Sequence, residues 1–191
     1  MSSDVELSDA EGADAVVPRP SGDLRFAAWF ERDYPRVVGV ARRVLDPEER
    51  SDASLPLAEE LTIEAFSRLR WSRRGGPGAT TSVLRRTLDG CMDALVGHPG
   101  TVDVHPELLG PDMEMDTTLS VAELHDALAT MRAADRHVGL LTLAAGYPPS
   151  GAALLLHRPL DDVLVRLARV GTRISDARRL GMAGPAAVEH R

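Results

Sequence analysis

The chain contains very little cysteine, few aromatic residues and no lysine. Cys91 is the only cysteine in 191 residues, so no internal disulfide can form and no Cys-x-x-Cys motif is present. Aromatic residues make up only 4% of the chain, so the core must be built mainly from Leu, Val and Ala. All 22 basic residues are Arg, which leaves every cationic side-chain contact to a planar, forked guanidinium group.

Membrane-spanning and metal-binding patterns are also missing from the sequence. No apolar run approaches the roughly 20 residues that cross a bilayer, and the first residues lack the basic and then apolar order of a signal peptide. The His-Glu-x-x-His motif does not occur, and the six histidines are scattered along the chain. We therefore expect a cytoplasmic protein with no metal, no cofactor and no membrane partner.

The charged residues do not form a catalytic pattern. A net charge of −7 argues against nonspecific coating of nucleic acid, although it leaves room for a local basic patch. Neighbouring acids such as Asp161 and Asp162 diverge by about 100° on a helix and cannot converge on one substrate. Nothing in the sequence resembles a nucleophile elbow or a phosphate-binding loop, so we expect no enzyme activity.

Apolar residues recur at intervals of three and four along most of the chain, which predicts an all-α fold. Acidic, proline-punctuated segments separate two helical parts and predict a disordered tail and an interdomain linker. We divide the chain into a disordered tail, a first small helical bundle, an acidic linker, a second small bundle and a C-terminal tail: residues 1–22, 23–96, 97–118, 119–181 and 182–191.

The two bundles differ in what their helices predict. The first reads as about four helices, because Pro35 either starts a second helix or kinks a single long one. The second reads as four helical stretches separated by short turns. Its last two stretches are a short helix and a longer one rich in arginine, joined by a sharp turn at residues 157–159, an order typical of a helix-turn-helix.

Three segments, taken in order, resemble the extracytoplasmic-function group of bacterial sigma factors, which are RNA polymerase subunits with two helical domains and an acidic linker. The segments are FAAWFERDYPRVVGVARRVL (26–45), AEELTIEAFSRL (58–69) and GYPPSGAALLLHRPLDDVLVRLAR (146–169). They are similar to the opening helices, to an Ala-Glu-Asp-Leu signature and to the promoter-reading helix-turn-helix of the family. The matching positions in the last two segments are Ala58, Glu59, Leu61, Glu64, Ala65, Phe66, Gly146, Ala153, Leu156, Pro159, Val163, Arg166, Leu167 and Arg169.

The resemblance implies a binding site for core RNA polymerase on the helix of residues 58–69. In the family this helix docks on the basic, partly apolar clamp helices of the largest polymerase subunit. Glu59, Glu60, Ile63 and Glu64 would then bind the polymerase, with the glutamates supplying charge and Ile63 an apolar anchor. Solvation alone would explain the glutamates of an arbitrary amphipathic helix, but not an outward-facing isoleucine.

The resemblance also implies contacts with promoter DNA, made by arginines in both bundles: Arg85, Arg86, Arg158, Arg166, Arg169 and Arg173. Several positions depart from the family. Val83 stands where a tryptophan is usual, Gly90 where an asparagine is usual, and Asp161 and Asp162 open the reading helix where small hydroxyl residues are common. Acids at that position favour a helix N-terminus but repel a phosphate backbone.

The departures leave several interpretations open. The chain is a divergent sigma factor that binds polymerase and promoter DNA, or a sigma-like interaction module that binds polymerase or another regulator without promoter recognition. A helical regulator with only an architectural likeness is a third reading, and an anti-sigma factor stays open as a further partner. For the reading helix alone, the alternative to DNA contact is that Leu164, Val165 and Val170 pack on a neighbour or on a partner while its arginines pair with Asp161, Asp162 and Asp176.

Overall fold

A computed structural model describes residues 22–46, 53–71, 78–96, 101–103 and 118–182. These residues are mostly helical, which confirms the all-α prediction. Their elements are α1 (Gly22–Leu45), α2 (Ser54–Trp71), α3 (Ala79–Ala94), β1 (Thr101–Asp103), β2 (Thr118–Ser120), α4 (Val121–Ala129), α5 (Ala133–Gly139) with a π-helical continuation (Leu140–Ala144), α6 (Pro149–Leu156) and α7 (Leu160–Met182). Most of the two predicted tails, residues 1–21 and 183–191, lies outside the described residues.

The first three helices pack on one another and form the amino-terminal half. α1 is a single helix of 24 residues that continues through Pro35, so the described part of this half has three helices rather than about four. Pro35 cannot donate to the carbonyl of Glu31, but both residues are exposed and water can satisfy that carbonyl. The helix therefore tolerates a proline that the sequence pattern would place at a helix start.

The few aromatic residues of the chain are concentrated where α1 meets α2. Phe66 of α2 is buried, with its ring centroid 4.8 Å from that of Trp29 and 4.9 Å from that of Phe30. Tyr34 stacks on Phe30 at 4.7 Å. Such offset and edge-to-face pairs add stability beyond the area they bury, so this cluster fixes α2 against α1 and determines which face of α2 reaches solvent.

Two short segments near the ends of the predicted linker pair with each other as β-strands. β1 and β2 form a two-stranded antiparallel ladder in which Val102 lies opposite Leu119, and both side chains are buried. α4 follows β2 directly and begins with a capping box, because the Ser120 hydroxyl accepts from the Glu123 amide and the Glu123 carboxylate accepts from the Ser120 amide. Residues 104–117 lie outside the described residues.

The carboxy-terminal half contains the four helical stretches that the sequence predicts. Gly146, at φ 67°, follows the π-helical continuation of α5, and the left-handed conformation suits a residue without a Cβ. His157, at φ 49°, ends α6 in the same region, and α7 begins three residues later. A short helix, a turn and a long helix are thus present where the helix-turn-helix is predicted, and below the term helix-turn-helix refers to the predicted motif at α6 and α7.

The two halves pack against each other and share one continuous apolar core. α1 contacts the π-helical continuation of α5, and α3 contacts both α5 and α6. The Arg43 guanidinium lies 5.4 Å from the centre of the Tyr147 ring, a cation–π contact between the halves. Within the described ranges, no helix is both long and apolar enough to cross a membrane.

Candidate functional site

The predicted polymerase-binding residues lie on the outer side of α2, and we call Glu59, Glu60, Ile63 and Glu64 the acidic ridge. Ile63 keeps 48% of its surface exposed, and Glu60 and Glu64 are exposed on either side of it. Glu64 is ion-paired with Arg68 one turn further along the helix. The structure therefore brings an exposed aliphatic side chain and two solvated carboxylates together on one helical face.

Glu59 differs from the other three members of the acidic ridge. It is half-buried and turned towards α1, where its charge acts on Tyr34. Burial is the main cause that raises the pKa of the Tyr34 phenol, and the nearby Glu59 carboxylate adds to the effect. We therefore expect Glu60, Ile63 and Glu64 to contact a partner more directly than Glu59 does.

A close approach between α2 and α3 explains one departure from the family. A Cβ added to Gly90 would lie 2.9 Å from Leu61 Cδ2, so any larger residue requires Leu61 to move. Val83, the second departure, is fully buried. Both residues are thus accounted for by helix packing, and neither offers a polar group to DNA.

An open groove of about 510 Å³ lies between α2 and α3. Its charged lining is balanced, with three arginines and three acids: Arg68, Arg85, Arg86, Glu64, Asp89 and Asp93. Among these, Arg86 is exposed and has no ion-pair partner among the described residues. A strand of nucleic acid would meet as much negative as positive charge in this groove, which does not favour tight phosphate binding.

Arg85, the other predicted DNA contact in this half, points to the carboxy-terminal half. Its Nη2 donates to the carbonyl oxygen of Leu156, at the end of α6, at 3.2 Å. Desolvation lowers the pKa of the Arg85 guanidinium, and the positive charge of Arg158 lowers it further. In this packed arrangement the partly buried Arg85 links α3 to the helix-turn-helix.

A second polar link between the halves joins α3 to α5. The buried imidazole of His137 donates from Nε2 to Asp89 Oδ1 at 2.9 Å, and Arg136 Nη2 lies 3.5 Å from the same oxygen. Burial lowers the pKa of His137 and outweighs the opposing effect of Asp89. Sequence reasoning missed this link, because Asp89 and His137 are 48 residues apart and nothing local pairs them.

Arg166, a predicted DNA contact on α7, is held inside the carboxy-terminal half. Its Nη1 donates to Asp135 Oδ1 at 2.7 Å and its Nε donates to Asp162 Oδ2 at 2.9 Å. Only 16% of the Arg166 side chain and 7% of the Asp135 side chain are exposed. We call this group, together with Arg158, the arginine clamp.

Arg158 completes the arginine clamp from the turn before α7. Its Nη1 donates to Asp162 Oδ2 at 2.8 Å, so one carboxylate accepts from two arginines. Hydrogen bonding by Arg166 is the largest of the causes that lower the pKa of Asp162. The interpretation that the arginines of this helix pair with its acids is confirmed for Asp162, whose presence in place of a small hydroxyl residue now has a structural reason. It is wrong for Asp161, which has no such partner among the described residues.

The remaining predicted DNA contacts, Arg169 and Arg173, lie further along α7. Arg169 is 59% exposed, and its Nη1 is 3.9 Å from Asp135 Oδ1 at the edge of the clamp. Arg173 donates from Nε to the hydroxyl of Thr130 at the end of α4. Arg169 is therefore the member of this set on α7 that is most available to a partner.

The solvent side of α7 is apolar at its centre. The buried stripe of the helix consists of Val163, Leu167, Val170 and Ile174. On the other side, Leu160, Leu164 and Val165 are 44%, 45% and 53% exposed. We call the exposed residues of the first turns the outer face of α7: Leu160, Asp161, Leu164, Val165, Ala168, Arg169 and Thr172.

In the described ranges no group of His, Cys, Asp and Glu is arranged to hold a metal ion. Comparisons with protein-family models, with curated proteins and with solved structures find no match. The functional interpretation therefore depends on the acidic ridge, the arginine clamp and the outer face of α7, read together with the resemblance of the sequence.

Proposed function

We propose that the protein is a sigma-like interaction module, which binds core RNA polymerase through the acidic ridge and does not recognise promoter DNA through its helix-turn-helix. The sequence resemblance supports the choice of polymerase as the partner. The geometry of the helix-turn-helix supports the absence of promoter recognition. This proposal places the protein in the cytoplasm, where the polymerase is.

The exposure of Ile63 between two carboxylates supports the first part of the proposal. The clamp helices of the polymerase are basic and partly apolar. A surface that binds them needs negative charge for approach and orientation, and an apolar anchor for a desolvated contact. Glu60 and Glu64 supply the first, and Ile63 supplies the second. Glu60, Ile63 and Glu64 are exposed, whereas Phe66 at the centre of the aromatic cluster is buried, so a partner could reach these three side chains without disturbing the core.

The observation that carries the second part is the arrangement of α7. Arg158 and Arg166 are bound by Asp162 and Asp135, while the outer face offers leucine, valine, Asp161 and a single arginine, Arg169, to solvent. Reading a major groove requires exposed side chains that donate to bases and phosphates. An apolar centre with an acid beside it is the composition of a protein-binding surface.

A promoter-directed sigma factor is the second candidate, and one observation favours it. Arg86 and Arg169 are exposed, one in each half, and could contact phosphates without breaking the arginine clamp. If both arginines bind phosphates, replacing both should reduce the slope of the logarithm of DNA affinity against the logarithm of salt concentration by about two units. This candidate predicts specific transcript starts, whereas the leading proposal predicts none.

The test mixes the purified protein with core polymerase and a library of promoter fragments, and measures complex formation and transcript start sites separately. The proposal expects a polymerase complex without specific starts. Starts that depend on Arg86 and Arg169 would support the sigma factor instead, and the absence of a polymerase complex would contradict both candidates. A known sigma factor added in a parallel reaction verifies that the polymerase and library are competent.

A further inference from the structure

The outer face of α7 is a continuous apolar strip on a helix whose opposite face already supplies the core. Leu160 and Leu164 are one helical turn apart, Val165 lies beside Leu164, and Ala168 continues the strip. Helix formation and core packing require only the buried stripe, so they do not explain this second one. Single exposed apolar residues are common, but several that adjoin on one helix mark an interaction surface.

Two charged residues border the centre of this strip at equal distances. Asp161 precedes Val165 by four residues and Arg169 follows it by four, so all three lie in one row along the helix. The Asp161 carboxylate has no hydrogen-bond or ion-pair partner in the described part of the chain. Arg169 is 59% exposed and uses one nitrogen in a contact of 3.9 Å, which leaves other N–H groups free to donate.

We propose that the outer face of α7 binds a second copy of this chain, with the two helices antiparallel across a twofold axis that passes close to Val165. That axis places Asp161 of each copy opposite Arg169 of the other and brings the leucines and valines together between the two ion pairs. The strip is thus complementary to itself, as a twofold interface must be. We infer a second copy as the partner because the same surface supplies both an acid for Arg169 and a base for Asp161.

The size of the strip sets the strength of the contact. A stable interface covers about 800 Å² on each partner, and one short helical face offers less than this. We expect a weak dimer, with a Kd on the order of 10 µM. The interface does not include the acidic ridge, so the inference stands or falls independently of polymerase binding.

The experiment uses sedimentation of the full chain over concentrations from about 1 µM to about 300 µM, which bracket the expected Kd. Asp161→Arg and Arg169→Asp are each expected to raise the Kd about tenfold or more, because each replaces two attractive pairs with two repulsive ones. Arg86→Asp, an exposed charge reversal on α3, serves as the matched control and should leave the Kd unchanged. Far-UV circular dichroism verifies that each variant is folded.

Mixing the two single variants tests the geometry. In an antiparallel pair, the Asp161→Arg copy carries only basic groups at the border of the strip and the Arg169→Asp copy only acidic ones. Each variant alone should dimerise only with its raised Kd, whereas an equimolar mixture should form a heterodimer with a Kd close to that of the wild type. Should Arg169→Asp fail to fold, Val165→Arg replaces it as the disrupting variant, with the same expected rise in Kd.

Three results would overturn the proposal. A wild-type chain that stays monomeric up to about 300 µM would show that a second copy does not bind this face. Dimerisation that persists unchanged in Asp161→Arg and Val165→Arg would place the interface elsewhere. Two single variants that dissociate the dimer but do not pair with each other would rule out the antiparallel twofold arrangement.

Discussion

Replacement of Arg166 by methionine distinguishes two possible roles of this residue, a contact with DNA and an ion pair that stabilises the fold. Arg166 is the main partner of Asp135, whose side chain is only 7% exposed, and its loss leaves that carboxylate with Arg169 at 3.9 Å. Breaking a buried pair from one side costs about 3–5 kcal/mol. We expect about 3 kcal/mol for Arg166→Met, because the weaker Arg169 contact remains, which is roughly a hundredfold loss in the folding equilibrium constant.

Urea unfolding followed by circular dichroism measures this loss, and Arg169→Met is the matched control. That variant removes the same charge from the same helix at a site that is 59% exposed, so we expect a change below about 0.5 kcal/mol. Asp135→Asn added to Arg166→Met should restore part of the stability, because it removes the unpaired charge. Equal stability of wild type and Arg166→Met, with a loss of DNA affinity, would refute the structural role of the clamp.

Three further predictions concern buried groups. Burial lowers the pKa of His137 below 6.5, so the unfolded chain binds a proton more readily than the folded chain does. The free energy of unfolding should therefore fall, by up to about 1.4 kcal/mol per pH unit, as the pH drops below 6.5. Urea titrations at several pH values should show a shallower dependence of this free energy on pH for His137→Gln, and an unchanged dependence would contradict the assignment. Gly139→Ala places a methyl group 2.7 Å from buried Leu128 Cδ2 and should destabilise the fold by about 1–2 kcal/mol, whereas Gly39→Ala, in open space, should stabilise it by about 0.5–1 kcal/mol. Thermal unfolding measures both changes, and a stabilising Gly139→Ala or a destabilising Gly39→Ala would count against this packing. Burial raises the pKa of the fully buried Cys91 to about 12, so a disulfide reagent should label it only on unfolding, and rapid labelling of the folded chain would be inconsistent with the core.

Local sequence patterns predicted those parts of the molecule whose contacts are close along the chain. The apolar spacing predicted that the segments of α2, α3 and α7 are helical, and the pairing of Arg166 with Asp162 follows from their four-residue separation. The exposure of Ile63 could also be anticipated, because it falls outside the apolar stripe of its helix. The binding partner, by contrast, comes from the resemblance alone and remains a prediction.

Contacts between distant residues could not be predicted in this way. Asp135 is 31 residues from Arg166, and Asp89 is 48 residues from His137, so no periodicity links either pair. Arg85 was expected at DNA, and only the packing of the two halves explains why it donates to Leu156 instead. The pairing of β1 with β2 in the region of the predicted linker is likewise a contact between separated segments, and it places Val102 opposite Leu119 in a buried position.

The affinity of the chain for core RNA polymerase tests the central claim most directly, with substitutions on the acidic ridge. Glu60→Arg with Ile63→Arg removes the apolar anchor and reverses one charge, while Asp93→Arg with Val96→Arg makes the same change in net charge at exposed sites on and after α3. Both variants should retain the helical content of the wild type. We predict that the ridge variant binds core polymerase at least about a hundredfold more weakly than the wild type, as expected for loss of a central anchor, and that the control variant binds normally. Equal affinities for the ridge variant and the wild type would contradict the claim that this face is the polymerase-binding site.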